Sequence, residues 1–219
     1  MVYSTPILDT SPSSHNSTSQ ILWLVRHGES TWNARGLAQG QDDQARLTSR
    51  GVRQARAIAV QLRDRPIRAL YASDLRRALQ TAAPLASALG LTVVRDARLR
   101  ERCLGAAEGT SAASISPAVS GISDGRVVNP DACPDGGESL RDFYRRVARF
   151  AGDLTDAGRA WDAGRPGDAD RAGELGEVVI VAHGGTLRML TACRQGVPVE
   201  EMTWGPLANA TVLRSPASH

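Results

Sequence analysis

Lysine is absent from this chain of 219 residues, so all 26 basic residues are arginine. That absence excludes a P-loop lysine, a Schiff-base lysine and a lysine general base. Arginine in a site favours phosphate or carboxylate, because its planar fork donates two parallel hydrogen bonds. The arginines are spread along the chain with a formal net charge of +3 and form no basic tract. No nucleic-acid partner is indicated. Aromatic residues are also few, at 4%. Cysteines number only three, Cys103, Cys133 and Cys193. Their wide spacing makes neither a disulfide framework nor a metal knuckle, and reduced thiols of a cytosolic protein are expected. No apolar run approaches the roughly 18 residues of a membrane span. The first 20 residues are rich in Ser, Thr and Pro, lack the pattern of a signal peptide, and read as a disordered tail.

What is present is an alternation of strands and helices. Apolar runs of strand length occur at 21–25, 67–72, 91–94, 177–182 and 210–213. Residues 48–63 set Val52, Ala55, Ala59 and Leu62 on one helical face, with Thr48 as cap. A second helix spans 74–89, capped by Ser73 or Asp74 and ended by Gly90, with Pro84 expected to kink or divide it. A third, about 138–156, aligns Leu140, Phe143, Tyr144, Val147, Phe150 and Leu154, and a fourth spans 185–195 before Gly196. The expected architecture is a three-layer αβα sandwich with a mainly parallel central sheet, forming one domain over 21–214. Residues 105–137 read as an irregular insertion with a short helix, placed to shape a substrate entrance. Residues 157–176 read as a mobile surface loop and 215–219 as a short tail.

Histidine is scarce as well: two of the four, His15 and His219, lie near the ends, leaving His27 and His183. "ILWLVRHG" and "VVIVAHGG" each place a histidine and a glycine just after a buried strand. Ligands of open α/β sheets collect at such carboxyl strand ends, and parallel neighbouring strands would bring both imidazoles to one edge. Two histidines alone suit a metal, but no further ligand sits at a characteristic spacing, so no metal and no cofactor are expected. Each histidine comes instead with features for an anion. Arg26 precedes His27, and Gly184-Gly185 opens a helix whose N–H groups and dipole favour negative charge. In "YASDLRRALQTA", Arg76 and Arg77 sit on a first helical turn after a strand, and Arg76 is the one expected to enter the cleft.

"LVRHGESTWN", "YASDLRRALQTA", "LRER" and "VAHGGTLRML" together resemble the histidine phosphatase superfamily, the phosphoglycerate-mutase-like fold, in the family's order. The resemblance implies that His27 attacks phosphorus and becomes a phosphohistidine, with Arg26, Arg76 and His183 clamping the phosphoryl oxygens. It implies that Glu101 protonates the leaving oxygen and then activates water. Asn33, Gln39 and Gly40 match positions that contact the substrate. By the same resemblance Arg102 matches a carboxylate-binding position of mutases, and residues without the family read it as an exposed arginine.

The chain also departs from the pattern. A Gly-x-Trp-Glu-Gly stretch of many relatives reads "GAAEG" here, with Ala107 in place of tryptophan. The mutases' Tyr-Gly after the acid motif is missing, and of their cationic insertion residues only Arg126 is present. The departures from the mutases favour hydrolysis of a small phosphorylated metabolite over mutase chemistry, which is the nearest alternative. A non-catalytic phosphoryl-binding relative is a further alternative. "GISDG" at 121–125 matches a serine-hydrolase elbow but lies in the insertion, away from any strand-to-helix turn. Oligomeric state is not set by the sequence, and a homodimer is compatible with it.

Overall fold

The computed structural model describes residues 7–9, 20–163 and 176–215. Its strands are β1 (Ile7–Asp9), β2 (Leu22–Arg26), β3 (Ile67–Ala72), β4 (Val93–Arg95), β5 (Ile122–Ser123), β6 (Arg126–Val127), β7 (Glu177–Ala182) and β8 (Val212–Ser215). Its helices are α1 (Thr31–Ala34), α2 (Ser49–Leu62), α3 (Arg76–Leu89), α4 (Pro117–Ser120), α5 (Leu140–Ala163) and α6 (Gly184–Gln195). The main sheet has the order β1-β8-β2-β7-β3-β4, and every pair is parallel except β2 with β8.

β2 and β7 are apolar runs because both of their faces are covered. Side chains alternate between the two sides of a strand. Leu22, Leu24, Val178 and Ile180 therefore pack with Leu140, Phe143, Val147 and Phe150 of α5 and Leu187 and Leu190 of α6. Trp23, Val25, Val179 and Val181 pack on the other side with Ile58 and Leu62 of α2 and Ala78, Ala82 and Leu85 of α3. The result is the three-layer arrangement with a mainly parallel sheet. Burying a Leu- or Ile-sized side chain contributes about 1.5–3 kcal/mol, so both layers hold the central strands firmly.

Several local expectations are corrected. Ile7–Asp9, within the segment read as a disordered tail, pair in parallel with β8 at the sheet edge. The rest of residues 1–19 and residues 216–219 lie outside the described residues. α2 keeps Ala55, Ala59 and Leu62 buried, with Thr48 Oγ1 accepting from the Gly51 N–H, but it exposes Val52 and buries Ile58. α3 runs undivided through Pro84 and begins after Leu75, with no side-chain cap. α5 continues through 157–163, where a loop was expected, and residues 164–175 lie outside the described residues.

Residues 105–137 hold two short 3₁₀ turns, α4 and the β5–β6 hairpin. "GISDG" runs from the C-cap of α4 through β5 into the hairpin turn, with Asp124 and Gly125 both at positive φ, and is not an elbow leading into a helix. Beside Ala107 lies a cavity of about 340 Å³, also lined by Ile115, Val119 and Pro134. The three cysteines are free thiols. Among the described residues no helix is long and apolar enough to cross a membrane.

Candidate active site

Strand register builds the site. β2 and β7 pair Leu22 with Val178 and Arg26 with Ala182. Carried one residue further, that register sets His27 beside His183 at the carboxyl edge. The His27 N–H donates to the Ala182 carbonyl at 3.0 Å, and the two imidazole centroids are 5.1 Å apart. Both side chains are buried.

The hydrogen bonds of each ring fix its role. His27 Nδ1 faces the Gly28 carbonyl at 2.8 Å. A carbonyl only accepts, so Nδ1 carries the proton and Nε2 keeps its lone pair. His183 Nε2 lies 2.9 Å from Ser73 Oγ, which already accepts from the Leu75 N–H. The Ser73 hydroxyl can donate to Nε2 or accept from it; where it donates, the ring proton of His183 sits on Nδ1, a buried atom without a partner among the described residues. Burial pushes the His27 pKa well below its ordinary value, and the charges of Arg77 and then Arg26 lower it further. His183 is lowered by burial, then by Arg77, His27 and Arg26. The site thus presents two neutral imidazoles, and that of His27 keeps a free lone pair on Nε2.

The arginines require a correction. Arg76 is exposed; its backbone N–H bonds to Asp43 Oδ1, and its side chain is on the outer face of α3. Arg77 is the fully buried one. The helical phase decides this, because Arg77, Thr81 and Leu85 follow at steps of four on the inward face, whereas Arg76 and Gln80 face outward. Arg77 Nη2 and Nη1 donate to the Gly40 and Asp42 carbonyls at 2.7 and 2.8 Å, and its Nε has no partner among the described residues. Burial lowers its pKa to about 10, so it remains a cation at neutral pH. Arg26 donates through Nη1 to the Leu207 carbonyl, and its Nε is likewise buried without a partner. Buried polar groups are nearly always hydrogen-bonded, so these three uncommitted nitrogens around two neutral rings describe an oxyanion pocket.

Glu101 joins the site through α6. Its Oε2 accepts from the Gly185 N–H and its Oε1 from the Arg102 N–H, both at 2.9 Å. A Cβ on Gly185 would fall 2.2 Å from Glu101 Oε1, so glycine is what lets the carboxylate reach the helix end. Gly184, the first residue of α6, lies against Arg26 and Arg188. Asn33 completes a capping box with Ser30 and also accepts from Asn209 Nδ2 at 2.9 Å, and Gln39 Oε1 accepts from Ser30 Oγ at 2.8 Å. Both carbonyl oxygens are engaged while neither amide nitrogen makes a hydrogen bond among the described residues. Gly40, at φ +47, contributes its carbonyl to Arg77.

Arg102 is the second correction. It is buried, and Nε, Nη1 and Nη2 donate to the carbonyls of Glu138, Ser120 and Ala132 at 2.7, 2.5 and 2.7 Å. It is not exposed, and each of its three nitrogens is already held by the backbone. Sequence reasoning missed Ser73, Arg188 and Asn209. It also missed Thr81, whose Oγ1 accepts from the Gly28 N–H at 3.0 Å and ties α3 to the loop after His27. Only Thr81 carried a usable signal, as the inward neighbour of Arg77 in helical phase. Among the described residues no three His, Cys, Asp or Glu side chains group as metal ligands.

Comparison with known proteins bears on the family. A mycobacterial glucosyl-3-phosphoglycerate phosphatase in complex with VO3 is similar at 30% identity and TM-score 0.73, covering 91% of this chain and 98% of that one. The alpha-ribazole phosphatase of Shigella flexneri is similar at 28% identity and TM-score 0.66, covering 83% and 82%. A probable phosphoglycerate mutase of Yersinia pestis (strain Pestoides F) is 40% identical over 134 residues, 58% of this chain. That match spans only 59% of the curated relative's length. The family model described as "Histidine phosphatase superfamily (branch 1)" matches residues 22–215, the segment that carries both histidines, Arg77 and Glu101, and the chain belongs to that superfamily.

Proposed function

We propose that the protein is a metal-independent phosphomonoesterase that hydrolyses a small phosphorylated metabolite through phospho-His27. One observation carries the reading: His27 Nε2 keeps its lone pair 5.1 Å, centroid to centroid, from the His183 ring, and Arg26 Nε, Arg77 Nε and His183 Nδ1 are buried without a partner among the described residues. Phosphoryl transfer depends mainly on positioning and on stabilising charge over the equatorial oxygens. Arginine and imidazole donors supply that here. In the first step Nε2 attacks in line, the N–P bond forms and the ester P–O bond breaks. Glu101 gives its proton to the leaving oxygen, after one carboxyl oxygen has traded its N–H partner for that proton. In the second step Glu101 takes a proton from water, the oxygen attacks phosphorus and the N–P bond breaks. Inorganic phosphate leaves and His27 is restored.

The phosphatases among the structural neighbours support hydrolysis, and their printed substrates include a phosphoglycerate derivative. The engagement of Arg102 supports it too, because that residue is withdrawn from the carboxylate-binding position implied for mutases. The test is phosphate release from a panel of sugar phosphates and phosphoglycerate derivatives. The intact protein should release phosphate with a chelator present. His27→Ala should lose on the order of 10⁴-fold or more in kcat, as expected for removal of a nucleophile. Full hydrolysis by His27→Ala sinks the mechanism. Isomerisation that requires a bisphosphate primer, without phosphate release, identifies a mutase instead.

A further inference from the structure

Arg188, on the second turn of α6, has no part in the mechanism above, yet it stands at the site. It is half-buried, its guanidinium lies 5.1 Å from the Trp204 ring, and Nη2 donates to the Gly205 carbonyl. Among the described residues it forms no ion pair, and that carbonyl is its one hydrogen-bond partner. A Cβ on Gly184 would lie 3.2 Å from Arg188 Nη1 and 3.6 Å from Arg26 Nε. Two guanidinium nitrogens therefore stand together at the first residue of α6. The next residue, Gly185, holds Glu101. Glu101 is the one opposite charge that acts on Arg188, against the cost of its burial. Once Glu101 carries the leaving-group proton, that countercharge is gone and two like charges remain side by side.

From this we infer that Arg188 reads the leaving group: it binds a carboxylate placed close to the ester oxygen, selecting anionic over neutral alcohols. The inference rests on the phosphomonoesterase reading and adds the substrate class to it. A carboxylate matches a guanidinium edge in shape and in single charge. Its place follows from the adjacency of Gly184 and Gly185, which puts the carboxylate reader beside the acid that protonates the leaving oxygen. The carboxylate position moves in this way from Arg102, each of whose nitrogens already donates to a carbonyl, to Arg188, whose Nη1 makes no hydrogen bond among the described residues.

The experiment compares two esters that differ in the carboxylate, phosphoglycolate and ethyl phosphate. The intact protein should prefer phosphoglycolate in kcat/KM. Arg188→Met should lose about 30-fold on phosphoglycolate, mostly as a rise in KM, and little on ethyl phosphate, given the usual strength of a hydrogen bond to a charged group. Arg188→Lys keeps the charge without the fork and should fall between; it also serves if the methionine variant does not fold. Equal losses on both esters overturn the inference and make Arg188 a support for the loop at Trp204 and Gly205. Absence of any preference for phosphoglycolate in the intact protein overturns it as well. Release of phosphate from neither ester, nor from p-nitrophenyl phosphate, overturns the phosphomonoesterase reading itself.

Discussion

At the catalytic edge, Arg77 donates two of its side-chain N–H groups to the carbonyls of Gly40 and Asp42 and keeps a third uncommitted beside the histidines. At the root of residues 105–137, Arg102 donates through all three nitrogens to carbonyls of Glu138, Ser120 and Ala132. Both arginines are buried, and both fold a loop around a guanidinium. They differ in the remainder. A buried cation whose every nitrogen already donates to backbone is a staple, whereas one with a whole nitrogen left over is prepared for an anion. Burial alone does not separate the two regions; the hydrogen-bond count does.

The largest way to break this comparison is at Arg77. Arg77→Met should lower kcat/KM by about 10²–10³-fold, the usual loss for one preorganised charge-stabilising donor. Arg76→Met should stay near the intact protein in the same assay. Equal losses at both positions would erase the distinction drawn from helical phase. Next comes Arg102→Met, which should lower unfolding free energy by about 2–4 kcal/mol in urea titrations, because three buried carbonyls lose their donors. An unchanged unfolding midpoint, with a selective loss on phosphoglycolate, would return Arg102 to the substrate.

The smallest effect sharpens the comparison through the nucleophile. In the free protein the His27 imidazole should stay neutral, by NMR, as pH falls through about 6.5, the ordinary histidine value. The sign follows from the lowered pKa: the folded protein declines a proton that the unfolded chain accepts, so this term costs stability only below about pH 6.5. Arg77→Met should move the His27 titration back toward the ordinary value, and Arg102→Met should leave it in place.

Much of the catalytic edge was legible in the sequence because β2 and β7 are uninterrupted apolar runs. Such a run buries both faces, so the first polar residue after it marks the sheet edge, and His27 and His183 stand there. Arg77 was legible in principle. Its neighbours Thr81 and Leu85 carry the inward phase of α3, but the doubled arginine hides which of the two shares it. Arg102 and Arg188 were not legible, since their roles depend on carbonyls 18 to 36 residues away for Arg102 and 17 away for Arg188. β1 was hidden by its setting in a Ser- and Pro-rich stretch, and the far end of α5 by its Gly and Asp content.

The 5.1 Å between the two imidazoles is close to the roughly 4.8 Å between neighbouring strands of any sheet. The pairing of β2 with β7 brings the two rings to one edge, and the Gly28 carbonyl and Ser73 hydroxyl orient them there. On the proposed reading, the strand edge holds the chemistry and the rim around it the selectivity, so new specificity is to be sought at the rim.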